Sequence, residues 1–318
     1  MNGNFEVTKA RPDEPELEQP PSAGVVPKVH FRWILSGPSR SGKTNLARWS
    51  LDNHYGKGAK KSWFDRVILL SPTAKIDWTW AGLPGLKDKD RIIDPTPQFL
   101  SKLLRDMRRE IQGGANGSSA DESAMKRMAE RRKKAKKVLV IFDDAIAESG
   151  LINSPEFLKI FIQGRHYNIS SMVMSQSYMK IPRSVRLQAT HLSMFPSRST
   201  EIDRIWQEHG PKELSKKEFY ELATYATTPL HDQDYPFMYV DSTAPVNRRF
   251  RRNYTEVLEI GGGGEDANLA EAASGGGQED EVSDNLPPDA PPTQPQNGKA
   301  PSKKRKPRKP RKTPYKRG

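Results

Sequence analysis

No cysteine occurs among the 318 residues. Disulfides and thiolate metal sites are therefore excluded, and the absence fits a reducing compartment. No apolar run approaches the roughly 20 residues that a membrane-spanning helix needs. The opening MNGNFEVTKARPDEPELEQPP also lacks the apolar stretch of a secretory leader, so no membrane span is expected. Histidine is scarce. His30, His54, His166, His191, His209 and His231 are far apart and none has metal-ligand spacing, so they read as ordinary surface or core residues. Two stretches lack charge of one sign. Residues 261–298 hold eight acids and no base, and residues 299–318 hold eleven Lys or Arg and no acid. Apolar residues make up 34% of the chain against 29% charged, with a mean hydropathy of −0.80. That is too polar for one continuous core and predicts a folded domain between disordered flanks.

The net charge of +13 is carried by the body of the chain as well as by its last twenty residues. A basic surface suits a polyanionic partner, most often nucleic acid, although a merely solvated surface has the same composition. Residues 1–25, rich in Pro and Glu, read as a disordered arm. Residues 261–298 read as an acidic linker, flexible where glycine-rich and stiffer where proline-rich, leading to the basic disordered tail 299–318. In the tail, KKRK suits DNA, an import receptor or capsid.

Between residues 26 and 260, short apolar runs alternate with helical patterns. FRWILS (31–36), RVILLSP (66–72), RIID (91–94), VLVIFDD (138–144), ISSMVMSQ (169–176) and THLSMF (190–195) read as strands. KTNLARWSLDNH (43–54), FLSKLLRDMRREI (99–111) and PEFLKIFIQGR (155–165) read as helices, the first with Leu46, Trp49 and Leu51 on roughly one side. This alternation predicts an α/β fold with a mostly parallel central sheet flanked by helices. A basic insertion at about 112–137 interrupts it. Its AMKRMAERRKKAKK portion holds eight bases and suits either a solvated helix or a DNA-facing element.

Gly37-Pro38-Ser39-Arg40-Ser41-Gly42-Lys43-Thr44 matches the phosphate-binding loop pattern at every fixed position, with Asn45 following. Glycines let successive backbone N–H groups turn inward toward phosphates, and the following helix adds its own N-terminal amides. Lys43 is placed to reach the β and γ phosphates of ATP, and the Thr44 hydroxyl to hold Mg²⁺. Asp143 and Asp144 end an apolar strand, where a carboxylate can complete the Mg²⁺ shell (Asp143) and a second can polarise attacking water (Asp144). Gln176 ends the next apolar strand and can orient that water. Arg165, in QGRHYNIS, is a candidate for stabilising transferred charge from a neighbouring subunit, with Arg183 and Arg186 of IPRSVR as competitors.

In their order, GPSRSGKT, VLVIFDD, GRHYNIS, a strand ending in Gln176, and IPRSVR resemble the FtsK–HerA superfamily of P-loop ATPases, and within it the poxvirus-type DNA-packaging ATPases of large DNA viruses and virophages. The resemblance covers about 30–210. It implies a RecA-like fold and a homo-oligomeric ring, typically a hexamer, that uses ATP and Mg²⁺ to drive double-stranded DNA into a preformed capsid, docked at its portal or vertex. It also implies action at virus assembly sites in the host cell. Carried over, Lys43 and Thr44 bind nucleotide and metal, Asp143 and Asp144 are the acidic pair, Gln176 is the sensor and Arg165 the trans-acting arginine. Many superfamily members have Asp-Glu where this chain has Asp-Asp. A cellular or plasmid DNA pump or helicase, and a non-catalytic nucleic-acid-binding structural protein, are the alternative readings.

Overall fold

The computed structural model describes residues 26–56, 62–112, 122–144, 149–230 and 235–260. The N-terminal arm 1–25, the linker 261–298, the tail 299–318 and the 113–121 part of the insertion lie outside the described residues.

The strands are β1 (Arg32–Ser36), β2 (Arg66–Leu70), β3 (Leu86–Ile92), β4 (Val138–Asp143), β5 (Ile169–Ser175), β6 (His191–Met194), β7 (Met238–Asp241), β8 (Phe250–Arg252) and β9 (Glu256–Val257). The helices are α1 (Lys43–Asn53), α2 (Pro97–Gln112), α3 (Glu122–Lys134), α4 (Ser149–Ile152), α5 (Pro155–Gln163), α6 (Arg183–Arg186), α7 (Ser199–His209) and α8 (Lys216–Thr227). Among the described residues they build one sheet in the order β3-β2-β4-β5-β1-β6-β7-β8-β9. The six strands from β3 to β6 run parallel, and β7, β8 and β9 close the sheet antiparallel.

Successive side chains point to opposite faces, so burial on both faces makes β2 and β4 apolar along most of their length. Along β4, Val138, Val140 and Phe142 enter one core and Leu139 and Ile141 the other. In β1, Ile34 faces the first core while Trp33 and Leu35 face the second. The first core is roofed by Leu100, Leu103, Leu104 and Met107 of α2, Phe157, Ile160 and Phe161 of α5, Ile205 of α7 and Phe219 of α8. The second is roofed by Ala47 and Leu51 of α1 and by Trp80 of a single 3-10 turn, Trp78–Trp80. No described helix is long and apolar enough to cross a membrane.

Two expectations change, and three strands are new. The strand expected at 91–94 is β3, beginning at Leu86; its exposed Lys87, Asp88 and Lys89 disguise it, as suits a sheet edge. On α1, Trp49 is half-exposed, and the buried face is Lys43, Ala47, Ser50 and Leu51. The strands β7 to β9 were not foreseen.

Candidate nucleotide site

Parallel strands that share a direction also share an end, so groups at their carboxyl termini converge. Strand order puts β5 between β4 and β1, with Asp143 level with Met174 and Ser36 level with Ser175. The end of β4 therefore lies two strands from the phosphate-binding loop, ~10 Å away. Gln176 follows the strand between them.

The loop that leaves β1 depends on its two glycines. A Cβ on Gly37 would come within 2.5 Å of the Phe195 Cβ, and Gly42 has φ +94 with the Tyr235 Cβ 2.7 Å from where its own would sit. Gly42 also caps α1 without a side-chain hydrogen bond, and no acid occupies the first turn, so the positive end of that helix is open to an anion. Lys43 Nζ lies back along the loop and donates to the Gly37 carbonyl at 2.8 Å and the Pro38 carbonyl at 2.7 Å. The Ser41 hydroxyl is buried with no hydrogen-bond partner among the described residues. An orphaned hydroxyl beside a buried ammonium and an uncapped helix start fits a phosphate group. Thr44 is the second residue of α1, Asn45 the third, and Ser39 and Arg40 form the exposed outer turn, Arg40 at φ +63.

Asp143 is 7% exposed and its Oδ2 accepts the Trp80 indole N–H at 3.0 Å. Burial raises its carboxyl to about 6 against that hydrogen bond, with Asp144 and Asp77 raising it further and Lys43 lowering it. Lys43 is pushed down by burial, while Asp144 and Asp143 support its charge. A buried carboxylate and a hydroxyl, both hard oxygen donors, suit Mg²⁺. Asp144 turns out of the strand at φ +48, and its exposed carboxylate accepts a 3.2 Å hydrogen bond from Gln176 Nε2. The fold thus gathers the loop, both aspartates and Gln176 on one edge.

Arg165 is not among them. It lies in a 3-10 turn, Gly164–Tyr167, just before β5, at the amino-terminal edge of the sheet and about 20 Å from the loop by the length of that strand. Its side chain is exposed. Of its competitors, Arg186 is buried and bound to Glu208 within the chain, Nε to Oε2 at 2.8 Å and Nη2 to Oε1 at 2.7 Å, so it cannot serve a neighbour; Arg183 is exposed. Two contributors had no signal in the chain. Trp80 reaches Asp143 from 63 residues away, and Glu201, in the first turn of α7, takes the Ser177 Oγ–H at 2.5 Å and the Tyr178 N–H at 2.6 Å. No cluster of three or more metal-ligating side chains occurs among the described residues.

Residues 118–223, a third of the chain, match a family model described as Poxvirus A32 protein. The match spans Asp143, Asp144, Arg165 and Gln176 and excludes the phosphate-binding loop. No curated protein sequence matches. Among solved structures, the genome packaging NTPase B204 from Sulfolobus turreted icosahedral virus 2, in complex with AMPPCP, aligns over 72% of this chain and 98% of its own, at 15% identity and TM-score 0.42. The cytoplasmic domain of the Thermomonospora curvata type VII secretion ATPase EccC aligns over 72% and 24%, at 11% identity and TM-score 0.41. EssC (ATPases 2 and 3) from Geobacillus thermodenitrificans aligns over 77% and 42%, at 11% and 0.43. The resemblance read from the motifs holds where the acidic strand, Arg165 and Gln176 lie: over those residues the chain matches the Poxvirus A32 protein family.

Proposed function

We propose that this chain is an ATP-driven translocase that packages double-stranded viral DNA into a preformed capsid. One observation carries the reading: strand order β4-β5-β1 sets the acidic pair, Gln176 and the phosphate-binding loop on a single edge, in a chain whose acidic segment matches the Poxvirus A32 family. Lys43 and the first amides of α1 bind the β and γ phosphates of ATP. Thr44 and Asp143 would hold Mg²⁺, which supplies positive charge against the phosphates. Asp144 accepts a proton from water as its oxygen attacks the γ phosphorus and the bond to the ADP oxygen breaks. Gln176, already hydrogen-bonded to Asp144, holds that water in line. Trp80 fixes the orientation of Asp143.

The working form in this reading is a ring of copies, a hexamer, seated at the capsid portal or vertex and acting at virus assembly sites in the host cell. Contacts to DNA run to phosphates and are insensitive to sequence. The test is ATP hydrolysis with and without duplex DNA. The wild-type chain is expected to turn over ATP faster when DNA is added, and Lys43→Ala to abolish turnover. Unchanged hydrolysis by Lys43→Ala would remove the site assignment. Hydrolysis indifferent to DNA would retain an ATPase and remove the translocase.

A further inference from the structure

The helix α3 is an anomaly in this fold. A surface helix ordinarily earns its place by burying an apolar stripe. Among the described side chains of α3, from Lys126 to Lys134, none is buried. Lys126, Arg127, Arg131, Lys133 and Lys134 are exposed against one acid, Glu130, and Lys136 follows, also exposed. The helix is nevertheless anchored at its carboxyl end. Arg131 Nη1 donates to the Gln112 carbonyl at 2.9 Å and Arg132 Nη2 to the Arg165 carbonyl at 2.6 Å. The buried Asn168, at φ +55, donates to the carbonyls of Arg132 at 2.7 Å and Ala135 at 3.3 Å. The Lys136 N–H donates to Glu110 Oε1 at 3.1 Å. A helix held by its end, with no buried side chain from Lys126 to Lys134, is being presented.

Its surroundings share its sign. The outer face of α2, opposite its buried leucines, exposes Arg105, Arg108 and Arg109 with Asp106 and Glu110. Arg105, Arg109, Lys133, Lys134 and Lys136 form no ion pair among the described residues. The amino-terminal sheet edge nearby crowds positive charge further: burial and the Arg165 guanidinium both hold Arg32 below its ordinary value. Cations in the last turn of α3 also suit the helix dipole, but that accounts neither for Arg105 and Arg109 on α2 nor for the unburied side chains from Lys126 to Lys134.

We propose that α3 and the outer face of α2 form a docking surface for the phosphate backbone of duplex DNA, on the sheet edge opposite the nucleotide site. The assignment rests on the DNA-translocase reading and adds where the DNA is gripped. Charge complementarity identifies the occupant. Lys133, Lys134 and Lys136 are exposed at the end of α3 that is tied to α2, whose outer face adds Arg105 and Arg109. Residues 122–137 contain no aromatic on which an unpaired base could stack. Besides one serine, two glutamates and two methionines they hold only lysine, arginine and alanine. The surface is built for phosphate rather than for base edges or single strands.

The experiment uses the full chain, a labelled duplex and a single strand of the same sequence, titrated across salt. The variant changes Arg109, Lys133, Lys134 and Lys136 each to Gln; a second, Lys133→Glu with Lys134→Glu, tests reversal. Neutralisation is expected to weaken duplex binding by roughly 10-fold or more at fixed salt and to flatten the log–log salt slope by about 0.9 for each phosphate no longer neutralised. Reversal is expected to weaken it further. ATP hydrolysis without DNA and the circular dichroism melt should match wild type. Duplex affinity and slope equal to wild type in both variants would overturn the docking surface while leaving the translocase reading standing. A wild-type chain that hydrolyses ATP but binds no duplex would overturn both.

Discussion

At the residue scale, the nucleotide site separates binding from turnover. On the proposed reading Lys43 and the loop hold phosphate, whereas the side-chain hydrogen bond of Gln176 among the described residues goes to Asp144. Gln176→Ala is therefore expected to lower kcat by roughly 10²-fold with ATP affinity nearly unchanged, read by single-turnover hydrolysis and nucleotide titration. A large loss of affinity with normal turnover would contradict the sensor role. A second residue governs stability in acid. Tyr178 gives its one hydroxyl proton to Glu208 Oε2 at 2.8 Å, so His209 Nε2, also 2.8 Å away, must carry a hydrogen and donate to the tyrosine oxygen. Burial pushes His209 down to about 4, with Arg249 and Arg186 acting in the same sense and Glu208 against them. An unfolded histidine titrates near 6.5, so between those values only the unfolded chain binds the proton. Stability falls as pH drops from 7 toward 4, by ~3 kcal/mol from this group. His209→Gln is expected to show a flatter dependence in urea melts at pH 7 and pH 4.5; parallel curves for the two proteins would exclude His209 as the source.

At the element scale, α7 acts as a brace for the segment after β5. Glu201 at one end holds Ser177 and Tyr178, the residues that follow Gln176, and Glu208 at the other holds Tyr178 and Arg186. Glu201→Gln, which keeps an acceptor but loses the charge, is expected to lower kcat without raising KM. In a double-mutant cycle with Gln176→Ala its effect should be non-additive by about 1 kcal/mol. Additive losses would mean that the brace and the sensor are independent. None of this could be read from the chain, because Glu201 looks like any acid in the first turn of a helix. The elements that the sequence revealed are those whose own residues decide them. The run VLVIFD is buried on both faces and can be little but a central strand, and Pro155 after Ser154 marks the start of α5, with the Ser154 hydroxyl accepting the Phe157 N–H. The phosphate-binding loop was legible because its conformation requires glycine at 37 and 42. Trp80 and the order of the strands stayed hidden, since both depend on contacts between distant segments. The short strands β7 to β9 carry too few residues for a period to show.

At the scale of the whole molecule, Arg165 cannot reach its own loop, for they lie on opposite edges of the sheet. Its proposed catalytic part must be played across a boundary between copies. Arg165→Ala and Lys43→Ala chains, each inactive alone, are expected to recover some ATPase activity when mixed, because some boundaries then pair an intact loop with an intact arginine. Mixed assemblies that stay inactive at every ratio would dismiss Arg165 and leave the exposed Arg183. The same separation of edges reaches into genetics. On the proposed reading fuel is burned at one margin of the sheet and cargo is gripped at the other, so lesions sort into two phenotypes: chains that clutch without firing and chains that idle. Co-expressed with wild type, a clutching subunit jams the cargo and behaves as dominant, whereas an idling one merely slips and behaves as recessive.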